Sequence, residues 1–373
     1  MRGGACEKVR LFVISGIKTV FVFALTIFLL GTVAQCADGE LEVDPKEVDG
    51  ILAFVKENDP GAIITISDNG KKIFQKSYGL ANVESKTPIS ASTVFELASC
   101  SKQFTATAIL ILCERGKISL DDEVSKYFPE LASKNTKKRS LLVRDLLGMT
   151  SGLADYSVGM SKEEIDSKKP VEVLQWTAEQ PRKFKPGEKF DYNNGNYALS
   201  AYLVERVSNQ KFADFIKKEI FDPAGMTHSF VMTGPDMKIA DRAGGYHETK
   251  KGFVWSRDDT YIAGDGQVMT TADDFVLWDK ALREGKILKE ESLKQAFTNG
   301  ETIYGKNTGY GLGWSVQTRD QHPLVDHEGS WAGTSTYILH YLDSPISIFV
   351  LSNNEDFGAG EIGAKIADAI LVW

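Results

Sequence analysis

Strand-like text lies at both ends of this chain, and helix-like text lies between. Near the start, AIITISDNGKKIFQKSYG reads as two strands joined at Asn69-Gly70, a dipeptide that suits the left-handed backbone of a two-residue hairpin. Near the end, GYGLGWSVQT, TSTYILHYL and ISIFVLSN are again strand-like, the last two joined through Asp343-Ser344-Pro345. From about Leu120 to Gly300, LLVRDLLGM, KEEIDSKKPVEVLQWTAEQ, NYALSAYLVERV, FADFIKKEI and ADDFVLWDKALREG are mostly helical in character. Further helices are expected around Lys46 to Glu57, from Ser99, and from Glu361 to Val372. Strands this far apart share a sheet only if the two ends of the chain meet. The expectation is an α/β (α+β) fold: one antiparallel sheet from both termini, flanked by helices, with a mostly helical insert at about 120–300. The site should lie between sheet and insert.

The 373 residues are 42% apolar and 25% charged, a globular composition. The first 37 stand apart. Arg2, Lys8, Arg10 and Lys18 precede the uncharged run TVFVFALTIFLLGTVA, sixteen residues from Thr19 to Ala34. That is short of the ~20 residues that span a bilayer, so the segment reads as an export signal ahead of one domain at 45–373. The protein is then periplasmic or extracellular. N-terminal membrane association is the alternative, through an uncleaved anchor or a lipid on Cys36, although Gln35 stands where a lipoprotein signal wants a small residue. Without residues 1–37 the formal charge goes from −8 to −11, which disfavours nucleic acid as a partner. Cys100 and Cys113 share one expected helix, roughly 20 Å apart along its axis, and are read as free thiols. The five histidines are scattered, and no Cys/His spacing points to a metal.

Three short stretches can carry chemistry. In ELASCSKQFTATAILILCERG, Lys102 falls one turn after Ser99 on an otherwise apolar helix. A serine hydroxyl needs a base, and a lysine serves if burial and a helix N-terminus ease the loss of its proton. The alternative for a serine here is a helix cap. Ser-x-x-Lys also occurs at Ser15 and Ser208, and Ser101, with Phe104 at its i+3 position, is the weaker candidate. In FKPGEKFDYNNGNYALSAYLVE, Tyr192 precedes Asn194 by two residues on a Pro-Gly loop. A phenol beside an ammonium can pass protons, and Asn194 can hold a substrate amide or the lysine. In VDHEGSWAGTSTYILHYL, His327 can bind substrate from a strand edge, Gly329 permits close approach to the backbone, and the Ser330 N–H can pair with that of Ser99 around an oxyanion.

In this order, Ser-x-x-Lys, Tyr-x-Asn and His-x-Gly resemble the serine β-lactamase and penicillin-binding-protein superfamily, nearest its class C branch and the related esterases and D-peptidases. LLGMTSGLADY, DPAGMTHSF, AGDGQVMTTADDF and YGLGW extend the resemblance over roughly Ile51 to Val372. It implies Ser99 as acylated nucleophile, Lys102 as its proton partner, Tyr192 as general base and acid, and Asn194, His327, Gly329 and Ser330 as substrate-binding. It also implies a small-molecule or cell-wall peptide substrate and no metal or organic cofactor. Two residues depart from the pattern: His327-Glu328-Gly329 replaces Lys-Thr-Gly, and Met149 stands where relatives commonly have His. A histidine supplies less reliable charge than lysine, which favours an esterase or peptidase over an efficient β-lactamase. A binding or sensing domain of the same fold is the competing reading. A Ser-His-Asp hydrolase is not, because no Gly-x-Ser-x-Gly elbow is present: in GSWAG the serine comes one place early.

Overall fold

The computed structural model describes residues 41–132, 139–161, 164–165, 168–234, 237–256 and 262–371. The expected export signal and Cys36 lie outside the described residues, and from Leu41 onward the chain forms one compact unit. Among the described residues no helix is long and apolar enough to cross a membrane.

The two ends do meet in one sheet. Strands β1 (Ala62–Asp68) and β2 (Lys71–Tyr78) turn at Asn69 and Gly70, with φ of 49° and 73°. These left-handed values are what the Asn-Gly pair tolerates. The C-terminal strands are β3 (Ser315–Arg319), β4 (His322–Trp331), β5 (Thr334–Tyr341) and β6 (Ile346–Ser352). The order is β3-β4-β5-β6-β1-β2, antiparallel throughout. Where the ends of the chain join, Ala62 pairs with Ser352 and Asp68 with Ile346.

Helices cover both faces of this sheet, so β5 and β6 are buried along their whole length and carry no polar–apolar alternation. Ile64, Ile66, Ile348 and Val350 pack on helices α1 (Pro45–Ile51) and α5 (Ala359–Ile370). Ile63, Ile338, Phe349 and Leu351 belong to the larger core shared with the insert. At its centre lies α2 (Lys102–Glu114), buried from Lys102 to Leu112 and followed by Gly116 at φ 64°. An apolar helix with no wet face belongs in an interior. Next to it run α3 (Asn194–Ser208) and α4 (Ala272–Arg283).

Three expectations of extent change. The N-terminal helix stops at Ile51, not Glu57. In GYGLGWSVQT pairing starts only at Ser315, because Gly309 and Gly313 take left-handed φ of 73° and 84° and bend the chain across α2. The insert also contains strands: Val268–Thr270 and Phe230–Val231 form a small sheet with Phe95–Glu96 from ahead of the insert, and Tyr246–Thr249 pairs with Gly252–Trp255. Two to four residues are too few to display a period of two.

Candidate active site

The nucleophile candidate lies on a tight turn leading into α2. Ala98 has φ 45°, a left-handed conformation that costs a residue with a β-carbon energy. Surrounding bonds hold it there. The Leu97 N–H donates to Val268 O at 2.8 Å, and Thr336 Oγ1 donates to Leu97 O at 2.8 Å. Cys100 Sγ donates to His327 O at 3.1 Å. Ser101 makes no capping bond; its buried hydroxyl accepts from the Val268 N–H at 3.1 Å. Half-buried Ser99 instead meets Lys102, whose Nζ donates to Ser99 Oγ at 2.9 Å.

Lys102 is wholly buried, and three acceptors take its three ammonium hydrogens. Besides Ser99 Oγ they are Asn194 Oδ1 and Asp265 O, each at 2.8 Å. Asn194 opens α3, while its neighbour Asn193 caps the helix, accepting from the Asn196 N–H at 3.2 Å. The Asp155 carboxylate braces the same helix end, accepting from Asn194 N at 2.9 Å and Gly195 N at 3.3 Å, an arrangement that also suits the helix dipole. Ser157 Oγ accepts from Asn194 Nδ2 at 3.0 Å, so the Asn194 oxygen is aimed at Lys102. Tyr192 is 40% exposed, with its ring centroid 5.0 Å from Lys102 Nζ. Met149 supports this loop: its carbonyl accepts from Asp191 N at 2.9 Å and its sulfur from Asn193 N at 3.4 Å.

His327 differs from the expected substrate-facing group. It is 4% exposed, under the rings of Tyr192 and Tyr310. Burial first, and then the nearby Lys102 charge, push its pKa down to about 3, so it is neutral at physiological pH. Nδ1 lies 2.6 Å from the Glu328 carbonyl and must carry the hydrogen; Nε2, 2.9 Å from Tyr310 Oη, then accepts from that phenol. Neither ring nitrogen is left for a substrate. Glu328 points away from the cleft, its carboxylate over Gly360 at the start of α5. A β-carbon at Gly329 would collide with Leu97 O and Thr336 Oγ1, so the close approach there is made by the nucleophile turn itself.

A cavity of about 190 Å³ opens over these groups. Ser99, Tyr192, Asn194 and Ser330 line it, with Tyr156, Asp265 and Trp331 among the other lining residues. Of the expected site residues, four thus face one space, Lys102 lies bonded beneath it, and His327 and Gly329 form its support. Tyr156, Asp155, Asp265 and Met149 were not identified as site residues from sequence, although LLGMTSGLADY and AGDGQVMTTADDF contain them. A carboxylate facing a cavity leaves no mark on local periodicity.

The Beta-lactamase family model matches residues 51–371. Penicillin-binding protein 4* of Bacillus subtilis is 31% identical over 314 residues, covering 79% of this chain and 68% of that one. The chain spans 63% of the length of other curated relatives that it matches. Among solved structures, the octameric penicillin-binding protein homologue from Pyrococcus abyssi superposes with a TM-score of 0.77 at 26% identity, covering 87% of this chain and 76% of that one. D-amino acid amidase from Ochrobactrum anthropi SV3 shares the fold, with a TM-score of 0.73 at 24% identity over 87% of this chain and 97% of that one. With a match that runs from ahead of the first sheet strand to the last helix, this chain is a hydrolase belonging to the Beta-lactamase family.

Proposed function

We propose that the protein works through an acyl-enzyme on Ser99 and cleaves small esters or amides that carry no carboxylate beside the reacting carbonyl. The supporting observation is the buried Lys102 ammonium, 2.9 Å from Ser99 Oγ and 2.8 Å from Asn194 Oδ1, beneath an open cavity. Ser99 Oγ attacks the carbonyl carbon and passes its proton to the Tyr192 oxygen as general base, while the Lys102 ammonium, with no lone pair to receive it, holds Ser99 Oγ in line. The new Oγ–C bond makes a tetrahedral intermediate whose oxyanion the Ser99 and Ser330 N–H groups receive. Its collapse breaks the bond to the leaving alcohol or amine, which takes the proton from Tyr192. Water then repeats the sequence on the acyl group, releasing the acid and restoring Ser99. Asn194 holds Lys102 in place throughout. His327, neutral and bonded at both nitrogens, supports Tyr192 from below and offers a substrate carboxylate no charge. This disfavours β-lactams and free peptide C-termini.

The reading includes export, which rests on the basic and apolar pattern of residues 1–37. N-terminal sequencing of the protein from a secreting host tests it: a start after Ala34 or Cys36 agrees, and an intact Met1 opposes it. For the chemistry, turnover of a short-chain nitrophenyl ester is measured beside intact mass after incubation with a penicillin. Ester turnover that disappears in Ser99→Ala, with that variant melting like the wild type, is expected. Turnover unchanged by Ser99→Ala would overturn the acyl-enzyme, and rapid penicillin hydrolysis would overturn the substrate preference. A penicillin adduct that forms on Ser99 and persists, without ester turnover, would mark a receptor.

A further inference from the structure

Among the described residues, Asp265 is the one charged side chain lining the cavity above Ser99. Among the described residues, the side chain that meets its carboxylate is Tyr156, whose Oη donates to Oδ2 at 2.8 Å, with a further bond from the Asp265 backbone N–H, and no described cation forms a salt bridge with it. The stretch that presents it is held firmly. Thr105 Oγ1 donates to Gly264 O at 2.7 Å, Lys102 Nζ to Asp265 O at 2.8 Å, and Met232 N to Gln267 O at 2.8 Å. Gly264 takes φ 114° against the Tyr197 carbonyl, and Gln267 is left-handed at φ 77°. A backbone so constrained fixes where the carboxylate points.

Among the described residues, the rest of the cavity supplies no cation to match a substrate's carboxylate. All three Lys102 hydrogens are engaged by the protein, His327 is neutral, and Glu328 faces α5. A carboxylate in a confined, partly buried site binds an ammonium far better than a neutral group of the same size. The Asp265 carbonyl shares Lys102 Nζ with Ser99 Oγ, so an amine meeting this side chain belongs within about one residue of the reacting carbonyl. The cavity, about 190 Å³, is smaller than the ~300 Å³ at which sites for drug-sized ligands begin.

Resting on the hydrolase reading above, we propose that Asp265, oriented by Tyr156, is an ammonium-binding subsite that selects small aminoacyl esters and amides with a free, protonated amine. The competing role for Asp265 is to balance the Lys102 charge, which would affect every substrate alike.

The experiment compares alanine nitroanilide, in both enantiomers, with its N-acetyl counterpart at pH 7, in the wild type and in Asp265→Asn. The quantity read is the ratio of kcat/KM for free amine over acetylated substrate. The wild type is expected to favour the free amine, and Asp265→Asn to lower that ratio on the order of 30-fold. A wild type that prefers the acetylated substrate, or a ratio unchanged in Asp265→Asn, would overturn the subsite. Calorimetry with Ser99→Ala and uncleaved alaninamide separates binding from turnover. Affinity lost in Ser99→Ala/Asp265→Asn supports the subsite even if no Ser99-dependent hydrolysis is found, whereas equal affinity in the two proteins refutes it. Thermal melts of each variant exclude loss through unfolding.

Discussion

The carbonyl of Leu97 presses directly over the α-carbon of Gly329, leaving no room for a side chain. The glycine of the third motif therefore shapes the turn that carries Ser99, and its effect on substrate is indirect. Gly329→Ala is expected to cost about 1–3 kcal/mol through overpacking and to shift Ala98 and Ser99. A lowered melting temperature should accompany a fall in kcat on the order of 10-fold or more. A lower melting temperature with kcat intact would separate the glycine from catalysis.

Replacing Lys102 with methionine keeps the stem but removes every donor from a buried site. Asn194 Oδ1 and Asp265 O then lose a partner at 2.8 Å, each costing about 1–3 kcal/mol where water does not replace it. Single-turnover kinetics should show acylation slowed by about 10²–10⁴. Lys102→Arg should fail to rescue, because a planar guanidinium does not fit three acceptors arranged around a point charge. Acylation at wild-type rate in either variant would remove Lys102 from the mechanism.

His327 makes stability depend on pH. Its pKa is about 3 in the fold against 6.5 for a free imidazole. Between those values the unfolded chain holds a proton that the folded chain lacks, so this group's contribution rises from pH 3 to pH 6.5 and is level above. The urea midpoint should fall from pH 7 to pH 5, and fall less steeply in His327→Gln. Equal slopes for the two proteins would mean that His327 titrates as an ordinary exposed residue.

Met149 gives the loop before α3 both bulk and two weak acceptor contacts, to Asn193 N at 3.4 Å and Asn196 Nδ2 at 3.6 Å. Met149→Ala, at a wholly buried position, should lose about 2–5 kcal/mol. Met149→Leu preserves volume, and its cost should stay below about 1.5 kcal/mol. If the sulfur contacts help to hold Tyr192, Met149→Leu should still lower kcat while melting near the wild type. Unchanged kcat in that variant would limit Met149 to packing.

Much of this architecture could be read from residue order, and the parts that could not share a cause. Asn69-Gly70 announced its hairpin because a two-residue turn is a local object, and Ser99 with Lys102 is legible because three residues on a helix make one turn. Whether His327 carries charge depends on burial by Tyr192 and Tyr310, 135 and 17 positions away. The direction of Glu328 follows from strand alternation, but only after the register of β4 against β5 shows which face meets α2. Asp155 and Asp265 reach the site from separate segments, so no spacing rule brings them together. The short strands around Val268 escaped for another reason: three residues do not establish a period.

The Cys100 thiol and the His327 carbonyl are 227 positions apart in the chain. A ribosome adding about 5–20 residues per second completes that interval in roughly 10 to 45 s. Through that time a nascent chain already holds its reactive serine and lysine but lacks the strand they rest against, and β1 has no β6 to pair with. Chemistry has to wait for the last strands to dock. A copy halted before β4 lacks the strand against which the Ser99 turn rests, so the order of the sequence itself delays that contact until β4 has been made.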